Sequence, residues 1–310
     1  MNCARRSSLT FVTAFIVVGC GGTSGETPPP SVEHDAAVND GGATDSVAAP
    51  HDAAPSPSDS DASSDVSHAR LGNCGDVPPA TNHPAFEAIK RLATTKEEVR
   101  ILVYGQSIAL QDWWMQVRDW LKKTYPAGNL VMESHGRGAC SSECLAGAES
   151  WFTDGKTENR LPADVYAWRP DLVLFNVYGG EGDYTYVAKG LVDGCSAFDT
   201  HPVATAHCRP DQVFPGYRRP EVLLQTDHRL PGTYPDVDVN LKNHNEVFIP
   251  DLAKGLGVSW GDVWTKWGAW LDAHERDASV YLADGLHLND RGNVLMSSLV
   301  EQDLCYRPEP

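Results

Sequence analysis

The fold of this chain is decided by the stretch Ile-Leu-Val-Tyr-Gly-Gln-Ser at residues 101–107. Its apolar part, residues 101–104, together with the preceding Arg100 predicts a β-strand at Arg100–Tyr104. Gly105 then permits a sharp turn where a side chain would clash, and Ser107 follows just past the predicted strand end. A serine hydroxyl becomes a useful nucleophile only when a base removes its proton, so another part of the chain has to supply that base.

A candidate base lies near the C-terminus, where residues 283–290 read Ala-Asp-Gly-Leu-His-Leu-Asn-Asp. Asp284 and His287 are close enough in sequence for one tight turn to join carboxylate and ring. An imidazole can deprotonate a serine, and a carboxylate behind it fixes the tautomer and stabilises the imidazolium. Each motif alone is equally typical of a turn or of helix capping. Their order and their placement on the strand pattern predict that Ser107, His287 and Asp284 form a catalytic triad.

Short apolar runs alternate with helical patterns along the chain. Strands are predicted at Arg100–Tyr104, Asn129–Glu133, Asp171–Val177, Glu221–Thr226 and Val258–Val263. Helices are predicted at Ala85–Leu92, Leu110–Tyr125, Asn243–Leu256, Trp264–Ala273 and Asp290–Leu304, the last with Asp290 as N-cap. This alternation predicts a parallel sheet with helices on both faces and a ligand site beyond the C-terminal strand ends. Residues 184–219 show no clear period and are expected to form a disulfide-pinned insertion.

The Gly105–Ser107 motif after a strand, together with Asp284–His287 before a last helix, resembles the SGNH (GDSL-type) hydrolase superfamily over residues 98–304. The resemblance implies an α/β fold, a three-layer α/β/α sandwich around a five-stranded parallel sheet of flavodoxin-like order. It also implies cleavage of esters or removal of acetyl groups. Gly-Gln-Ser in place of Gly-Asp-Ser is similar to the sialate O-acetylesterase-like and acetyl-xylan-esterase-like branches, although Ile108 replaces their usual Asn.

The same resemblance implies three donors to an oxyanion: the serine N–H, a glycine N–H after the second strand and an asparagine amide after the third. These map onto Ser107, Gly138 and Asn176, with Gly136 as the alternative glycine. The family's Gly-x-Asn-Asp motif is absent, and Asn176 is the only amide near the third predicted strand end. A buried asparagine satisfied by neighbouring backbone is the competing interpretation of that residue.

Four further residues are candidates for substrate binding: Gln106, Trp114, Asp227 and His228. Asp227 and His228 follow the fourth predicted strand and can contact substrate hydroxyls, although a solvated loop fits the same pattern. Trp113 and Trp114 begin the helix after Ser107; at least one is expected to pack in the core, while the other can offer a flat face to a sugar ring.

The N-terminus has the pattern of an export signal. An apolar run of about ten residues is too short to span a bilayer as a helix. It ends in Val-Val-Gly-Cys, which resembles the lipobox of bacterial lipoproteins and makes Cys20 the expected lipidation site. Gly21 after it suggests the outer membrane; an ordinary secretory signal with an incidental cysteine is the alternative. Three segments are expected: a signal peptide at 1–19, a disordered Ala/Asp/Ser/Pro-rich linker at 20–73 and the hydrolase domain at 74–310.

Six cysteines follow Cys20, and an even number in an exported chain suggests disulfides. Six thiols allow fifteen connectivities, of which we favour Cys74–Cys305, Cys140–Cys144 and Cys195–Cys208. A metal site is the competing use, but the chain has no CxxC pair and no close Cys/His cluster. No metal and no cofactor are therefore expected.

The formal net charge of -17 argues against nucleic acid as a partner, because phosphates need clustered Lys and Arg. The expected function is a monomeric serine esterase that removes short acyl groups, above all acetyl, from carbohydrate at the cell exterior. Its expected partners are the acylated carbohydrate and, through the lipid anchor, a membrane. A lipase or thioesterase of the same mechanism and an inactive surface-tethered glycan-binding protein are the alternatives.

Overall fold

A computed structural model describes five stretches of this protein, residues 86–146, 160–178, 180–194, 217–232 and 240–306. All of them belong to one unit of the chain, Ser56–Pro310. The predicted signal peptide, the linker and Cys20 lie outside the described residues. Within these five stretches, no helix combines the length and the apolar character that crossing a bilayer requires.

A five-stranded sheet forms the centre of the described part. Its strands are β1 (Glu98–Gly105), β2 (Asn129–Ser134), β3 (Leu172–Asn176), β4 (Glu221–Gln225) and β5 (Ser259–Gly261). All neighbouring strands are parallel, in the order β2-β1-β3-β4-β5. The predicted α/β class and flavodoxin-like strand order are therefore confirmed.

Helices connect the strands, as parallel pairing requires. The α-helices are α1 (Glu87–Thr94), α2 (Trp113–Thr124), α3 (Ser142–Leu145), α4 (Glu181–Asp193), α5 (Ile249–Leu256), α6 (Val263–Ala273) and α7 (Asp290–Asp303). Two short 3₁₀ turns and two π-type turns complete the described set, at Ser107–Leu110, Ala278–Tyr281, Pro162–Tyr166 and His244–Phe248.

The sheet separates two apolar cores, one on each face. Successive strand side chains point to opposite faces, so Val103 of β1 belongs to the core under α1, α2, α6 and α7, while Tyr104 belongs to the core under α4 and α5. The same alternation places Leu174 and Phe175 of β3 in different cores. Helices on both faces of the sheet make the predicted three-layer sandwich.

The C-terminal ends of the strands set the position of the candidate site. Gly105 at the end of β1 is paired with Asn176 at the end of β3. Phe175 of β3 is in turn paired with Leu224 of β4, so the segment that follows Gln225 lies at the same edge. Because parallel strands end at one edge, residues that follow β1, β3 and β4 come together there.

Several predicted boundaries differ from the structure. The expected fifth strand, Val258–Val263, is shortened to β5 because Val263 begins α6. Asn289, and not Asp290, is the N-cap of α7, since its side chain accepts a hydrogen bond from the N–H of Gly292. The N-cap prediction was wrong by one residue.

The expectation of a patternless insertion at 184–219 is wrong at its start. Helix α4 occupies Glu181–Asp193 and buries Tyr184, Val187, Ala188 and Leu191, which follow helical spacing. Glycines within the same stretch dilute that pattern in the sequence. Residues 195–216, including Cys195 and Cys208, lie outside the described residues.

Replacing Gly105 with alanine should prevent normal folding. A Cβ at this position would lie 1.8 Å from the carbonyl oxygen of Asn176, a backbone atom held by the β1–β3 pairing. We expect a loss of unfolding free energy of about 3 kcal/mol or more, measured by urea denaturation. Gly182→Ala in α4, where no atom lies within 4 Å of the new Cβ, is the control and should change it by less than about 1 kcal/mol. Equal stability of the two variants would contradict the close approach.

Candidate active site

The structure brings Ser107 and His287 together although 180 residues separate them. Ser107 begins the 3₁₀ turn after β1, and His287 lies in the loop before α7. The Nε2 atom of His287 is 3.0 Å from Oγ of Ser107, and its Nδ1 atom is 2.7 Å from Oδ2 of Asp284. Hydroxyl, imidazole and carboxylate thus form one continuous chain of hydrogen bonds.

The loop around Asp284 is built to hold the carboxylate against the ring. Oδ1 accepts hydrogen bonds from the backbone N–H groups of Leu286 at 3.0 Å and His287 at 2.7 Å. Gly285 adopts a φ of 85°, in the left-handed region that favours glycine. The N–H of Ala283 donates to the carbonyl of His287 at 2.7 Å and closes the turn.

These contacts keep Asp284 ionised. Partial burial acts to raise its pKa, but hydrogen bonds from the backbone and ring of His287, and from Leu286, outweigh burial and lower the pKa to about 2. A carboxylate can only accept hydrogen bonds, so Nδ1 of His287 carries the proton and Nε2 is left as the acceptor for the Ser107 hydroxyl. This is the tautomer that a general base needs.

The backbone N–H groups of Ser107 and Gly138 have no hydrogen-bond partner within the described stretches. Gly138 is exposed. The alternative glycine, Gly136, donates its N–H to Oγ of Ser134 at 3.1 Å and is therefore already engaged. The structure leaves the N–H groups of Ser107 and Gly138 available to an incoming ligand.

Arg137 fixes the segment that carries Gly138. Its guanidinium group makes two hydrogen bonds to the buried carboxylate of Asp164, at 2.6 and 2.5 Å. Its backbone N–H donates to the carbonyl of Gly105 at 2.9 Å. Fork-shaped pairing of this kind holds a backbone more firmly than a single contact does.

Asn176 is the last residue of β3, and its side chain is buried. Its side-chain amide lies 3.4 Å from both the carbonyl of Thr226 and Oδ1 of Asp227. The amide is thus directed at the end of β4, whereas its Oδ1 atom has no partner among the described residues. Its amide N–H groups are therefore engaged by the two residues that follow β4.

Asp227 and His228 are buried, which excludes the solvated loop that the sequence left open. Burial raises the pKa of Asp227 to about 8, although hydrogen bonds from Asn245 and Asn176 act in the opposite direction. Burial lowers the pKa of His228 to about 4. Both side chains are therefore uncharged at neutral pH, and Nε2 of His228 donates to the carbonyl of Leu286 at 2.9 Å.

The remaining candidates for substrate binding lie around the 3₁₀ turn. Gln106 is buried, and its carbonyl accepts from the N–H of Ala109 at 2.9 Å. Trp113 is the core tryptophan of the pair, with its ring N–H donated to the carbonyl of Ile108 at 2.7 Å. Trp114 is half-buried and carries the guanidinium of Arg118 5.5 Å from its ring centre.

A disulfide joins Cys140 and Cys144, as the sequence analysis favoured, and closes a short loop just beyond Gly138. Cys305 is also disulfide-bonded; its favoured partner, Cys74, lies outside the described residues, as does the favoured Cys195–Cys208 pair. In the described stretches, no group of three or more His, Cys, Asp or Glu side chains is arranged to hold a metal ion.

Sequence reasoning missed the residues that support the site. Gln111 exchanges two hydrogen bonds with the backbone of Leu288, at 3.1 and 3.0 Å. Asn245, on the π-type turn before α5, accepts from the N–H of Asp227 at 2.7 Å. The pairing between Arg137 and Asp164 was missed as well. Polar residues in loops look alike in a sequence, and none of these pairs has a local signal.

The described fold resembles those of several solved structures. The acetyl-xylooligosaccharide esterase Axe2 from Geobacillus stearothermophilus, as a single-substitution variant, matches with a TM-score of 0.50 and 13% identity, over 69% of this chain and 98% of that one. A candidate GDSL-like lipase from Parabacteroides merdae matches with a TM-score of 0.50 and 13% identity, over 68% and 98%. These likenesses agree with the predicted three-layer α/β/α fold around a five-stranded parallel sheet.

A two-domain esterase active on acetylated mannans also matches, with a TM-score of 0.47 and 18% identity over 70% of this chain. The match covers 51% of that enzyme, so this chain spans about half of its length. No protein-family model matches the sequence, and no curated protein is similar to it.

The raised pKa of Asp227 predicts a stability that declines as the pH rises from about 4 to about 8. The folded protein keeps a proton up to about pH 8, whereas an unfolded chain releases it near about pH 4. Unfolding free energy therefore falls as pH rises between these values, by about 1 to 2 kcal/mol from about pH 6.5 to 8. The buried His228 does not contribute there, because its lowered pKa acts only below its ordinary value of 6.5.

Asp227→Asn, which mimics the neutral carboxyl group, should remove this decline when urea unfolding is measured across the window. Asp277→Asn is the matched control, because hydrogen bonds from Ser279 lower the pKa of that exposed carboxyl and its titration lies far below neutral pH. An unchanged decline in Asp227→Asn would show that another group titrates.

Proposed function

We propose that this protein is a serine esterase that removes short acyl groups, above all acetyl, from carbohydrate. One observation carries the proposal: Oγ of Ser107, the ring of His287 and the carboxylate of Asp284 form a hydrogen-bonded chain, with contacts of 3.0 and 2.7 Å, at the C-terminal edge of the sheet. The carboxylate of Asp284 is ionised, as stabilisation of an imidazolium requires.

The reaction begins when Nε2 of His287 takes the proton of the Ser107 hydroxyl as its oxygen attacks the ester carbonyl carbon. The C–O bond to the alcohol then breaks, and His287 returns the proton to the departing alkoxide. Water then reacts with the acyl-serine in the same way. His287 removes a proton from the water, and the water oxygen attacks the acyl carbon. The bond to Oγ of Ser107 breaks, His287 returns the proton to Oγ, and the acid is released. Asp284 stays ionised throughout and stabilises the imidazolium.

The developing oxyanion needs donors that are free before the reaction starts. The N–H groups of Ser107 and Gly138 meet this condition in the described structure. The Asn176 amide can join them only by giving up its long contacts with Thr226 and Asp227, both at 3.4 Å. We therefore assign the main stabilisation to the two backbone groups and a supplementary one to Asn176.

Three observations support acylated carbohydrate as the substrate. Axe2, with which this chain shares its fold, is described as an acetyl-xylooligosaccharide esterase. The half-buried Trp114 lies on the first turn of the helix after the nucleophile, where its ring can face a sugar. The sequence shows no long apolar stretch that would line a channel for a lipid chain.

The proposed place of action is the cell exterior. A lipid on Cys20 would anchor the mature chain to a membrane, and the segment up to residue 73 would let the domain reach a polymeric substrate as a monomer. Metabolic labelling with a fatty-acid analogue, compared between the full chain and Cys20→Ala, tests the anchor independently of the activity.

Ser107→Ala should abolish release of acetate from acetylated polysaccharide. Without the hydroxyl no acyl-enzyme forms, so we expect kcat to fall by roughly 10⁴-fold or more. Ser279→Ala, at an exposed position in the 3₁₀ turn Ala278–Tyr281, is the control and should keep full activity. Unchanged acetate release in Ser107→Ala would rule out the mechanism.

A chain-length series of p-nitrophenyl esters separates the remaining functions. Preference for acetate supports the proposal, whereas preference for acyl chains of eight or more carbons would indicate a lipase or thioesterase. A serine-reactive fluorophosphonate probe should label Ser107. Absence of labelling together with retained glycan binding would instead identify a surface glycan-binding protein.

Asp284→Asn should lower kcat by roughly 10²- to 10⁴-fold while leaving the loop folded. The new carbonyl oxygen can still accept from the N–H groups of Leu286 and His287, but the side chain no longer stabilises an imidazolium. Since the pKa of Asp284 is about 2, titration of this carboxylate should add no pH dependence to the loss between about pH 5 and 9. Asp290→Asn, an exposed position on α7, is the control. A kcat within threefold of the parent at Asp284→Asn would contradict its assigned role.

A further inference from the structure

We propose that Gln111 is the positioning residue that sets the distance between Ser107 and His287. The inference rests on the proposed function and concerns how the segments that carry Ser107 and His287 are held at a fixed distance from each other. Gln111 follows directly after the 3₁₀ turn that begins with Ser107, and its side chain reaches a segment 177 residues away. There it binds Leu288, the residue next to His287.

The contact has two hydrogen bonds of opposite sense. Nε2 of Gln111 donates to the carbonyl of Leu288 at 3.1 Å, and Oε1 accepts from the Leu288 N–H at 3.0 Å. The amide of Gln111 therefore pairs with the backbone as a neighbouring strand would. Turning the amide over would set acceptor against acceptor and donor against donor, so its orientation is fixed by Leu288.

Both partners of this pair belong to short, internally bonded segments. On the nucleophile side, the N–H of Ala109 donates to the carbonyl of Gln106 at 2.9 Å, and that of Gln111 to Ile108 at 3.2 Å. On the base side, Ala283 is bonded to His287, and Leu282 forms an antiparallel bridge with Leu288. A hydrogen bond between two internally bonded segments fixes their relative position, whereas a hydrogen bond between two flexible segments would not.

Few hydrogen bonds join the segment that follows Ser107 to the segment that carries His287. Apart from the Ser107–His287 contact, the two bonds of Gln111 are the only hydrogen bonds between residues 107–111 and 284–289 in the described part of the chain. Trp113 and Gln116 also bridge α2 to α7, through Asn293 and Ser297, but they do so within the helices. Those bridges hold α2 and α7 together, whereas Gln111 joins the segments that carry Ser107 and His287.

The expected consequence is a change in turnover and not in binding. Displacing a catalytic group by about 1 Å can lower a rate by roughly 10²-fold. Leu288 is buried, so its N–H and C=O cannot exchange the lost bonds for water without movement of the loop. The residue contacts neither reacting atom, and substrate affinity should therefore be nearly unchanged.

The test compares Gln111→Met and Gln111→Glu with Gln116→Met in the full chain. Methionine keeps the length and shape of glutamine but makes neither hydrogen bond. Glutamate keeps the acceptor for the Leu288 N–H and sets a second acceptor against its carbonyl. Gln116 lies in α2 and bridges it to α7, with Oε1 accepting from Ser297 Oγ at 3.2 Å, and serves as the matched control for general loss of packing.

Four quantities are measured for each variant: kcat and KM on p-nitrophenyl acetate, the thermal midpoint, and hydrogen exchange at the Leu288 amide. We expect kcat to fall by about 10- to 100-fold in Gln111→Met and less in Gln111→Glu, with KM within about threefold. Exchange at Leu288 should quicken in Gln111→Met. Gln116→Met should keep both the parent kcat and the parent exchange at Leu288.

Two results would overturn the proposal: a kcat within twofold of the parent in Gln111→Met, or an equal loss of kcat in Gln116→Met. If Gln111→Met fails to fold, the Gln111→Glu variant decides, with its thermal midpoint as the check on folding. If the parent hydrolyses no ester, the proposed function fails by itself, and hydrogen exchange at Leu288 still shows whether Gln111 holds the loop.

Discussion

The parallel pairing of β1 with β3 is the constraint on which the rest of the structure depends. It places Gly105 against the carbonyl of Asn176, at a distance that only glycine tolerates. Because β1 must end there, Ser107 emerges at the C-terminal edge of the sheet and not within it. The carbonyl of Gly105 also accepts from the N–H of Arg137, so the same point positions the segment that carries Gly138. The pairing at Gly105 thus positions both Ser107, the proposed nucleophile, and Gly138, the proposed oxyanion donor.

Two aspartates near the candidate site show how burial determines the charge of a carboxyl group. Asp284 is largely exposed and accepts three hydrogen bonds, which hold its pKa at about 2 and its charge beside His287. Asp227 is fully buried, and loss of water raises its pKa to about 8 despite two amide neighbours. The charge of Asp284 is suited to stabilise an imidazolium, whereas Asp227 is suited to be a neutral hydrogen-bond partner of Asn176.

Much of this architecture was predictable from the sequence, for reasons that particular residues make clear. Five apolar runs mark the strands because buried parallel strands are apolar on both faces. The meeting of Ser107 with Asp284 and His287 was predictable because each motif stands beside a recognisable element. The burial of Asp227 and His228 was not, since it depends on Asn245 and on the carbonyl of Leu286, which come from distant segments. Helix α4 was missed because Gly182 and Gly190 weaken a pattern that its buried side chains otherwise follow.

The hydrogen bonds that Asn176 already makes bear on how an oxyanion would be stabilised in the proposed reaction. A side-chain amide that must leave Thr226 and Asp227 before it can donate will lose part of its benefit to that rearrangement. The backbone N–H groups of Ser107 and Gly138 have no such bonds to break, and the paired Arg137 keeps one of them in place. Stabilisation by groups already in position is the more effective kind. The neutrality of Asp227 fits the same arrangement, because an ionised carboxylate there would hold the Asn176 amide more strongly than the neutral acid does.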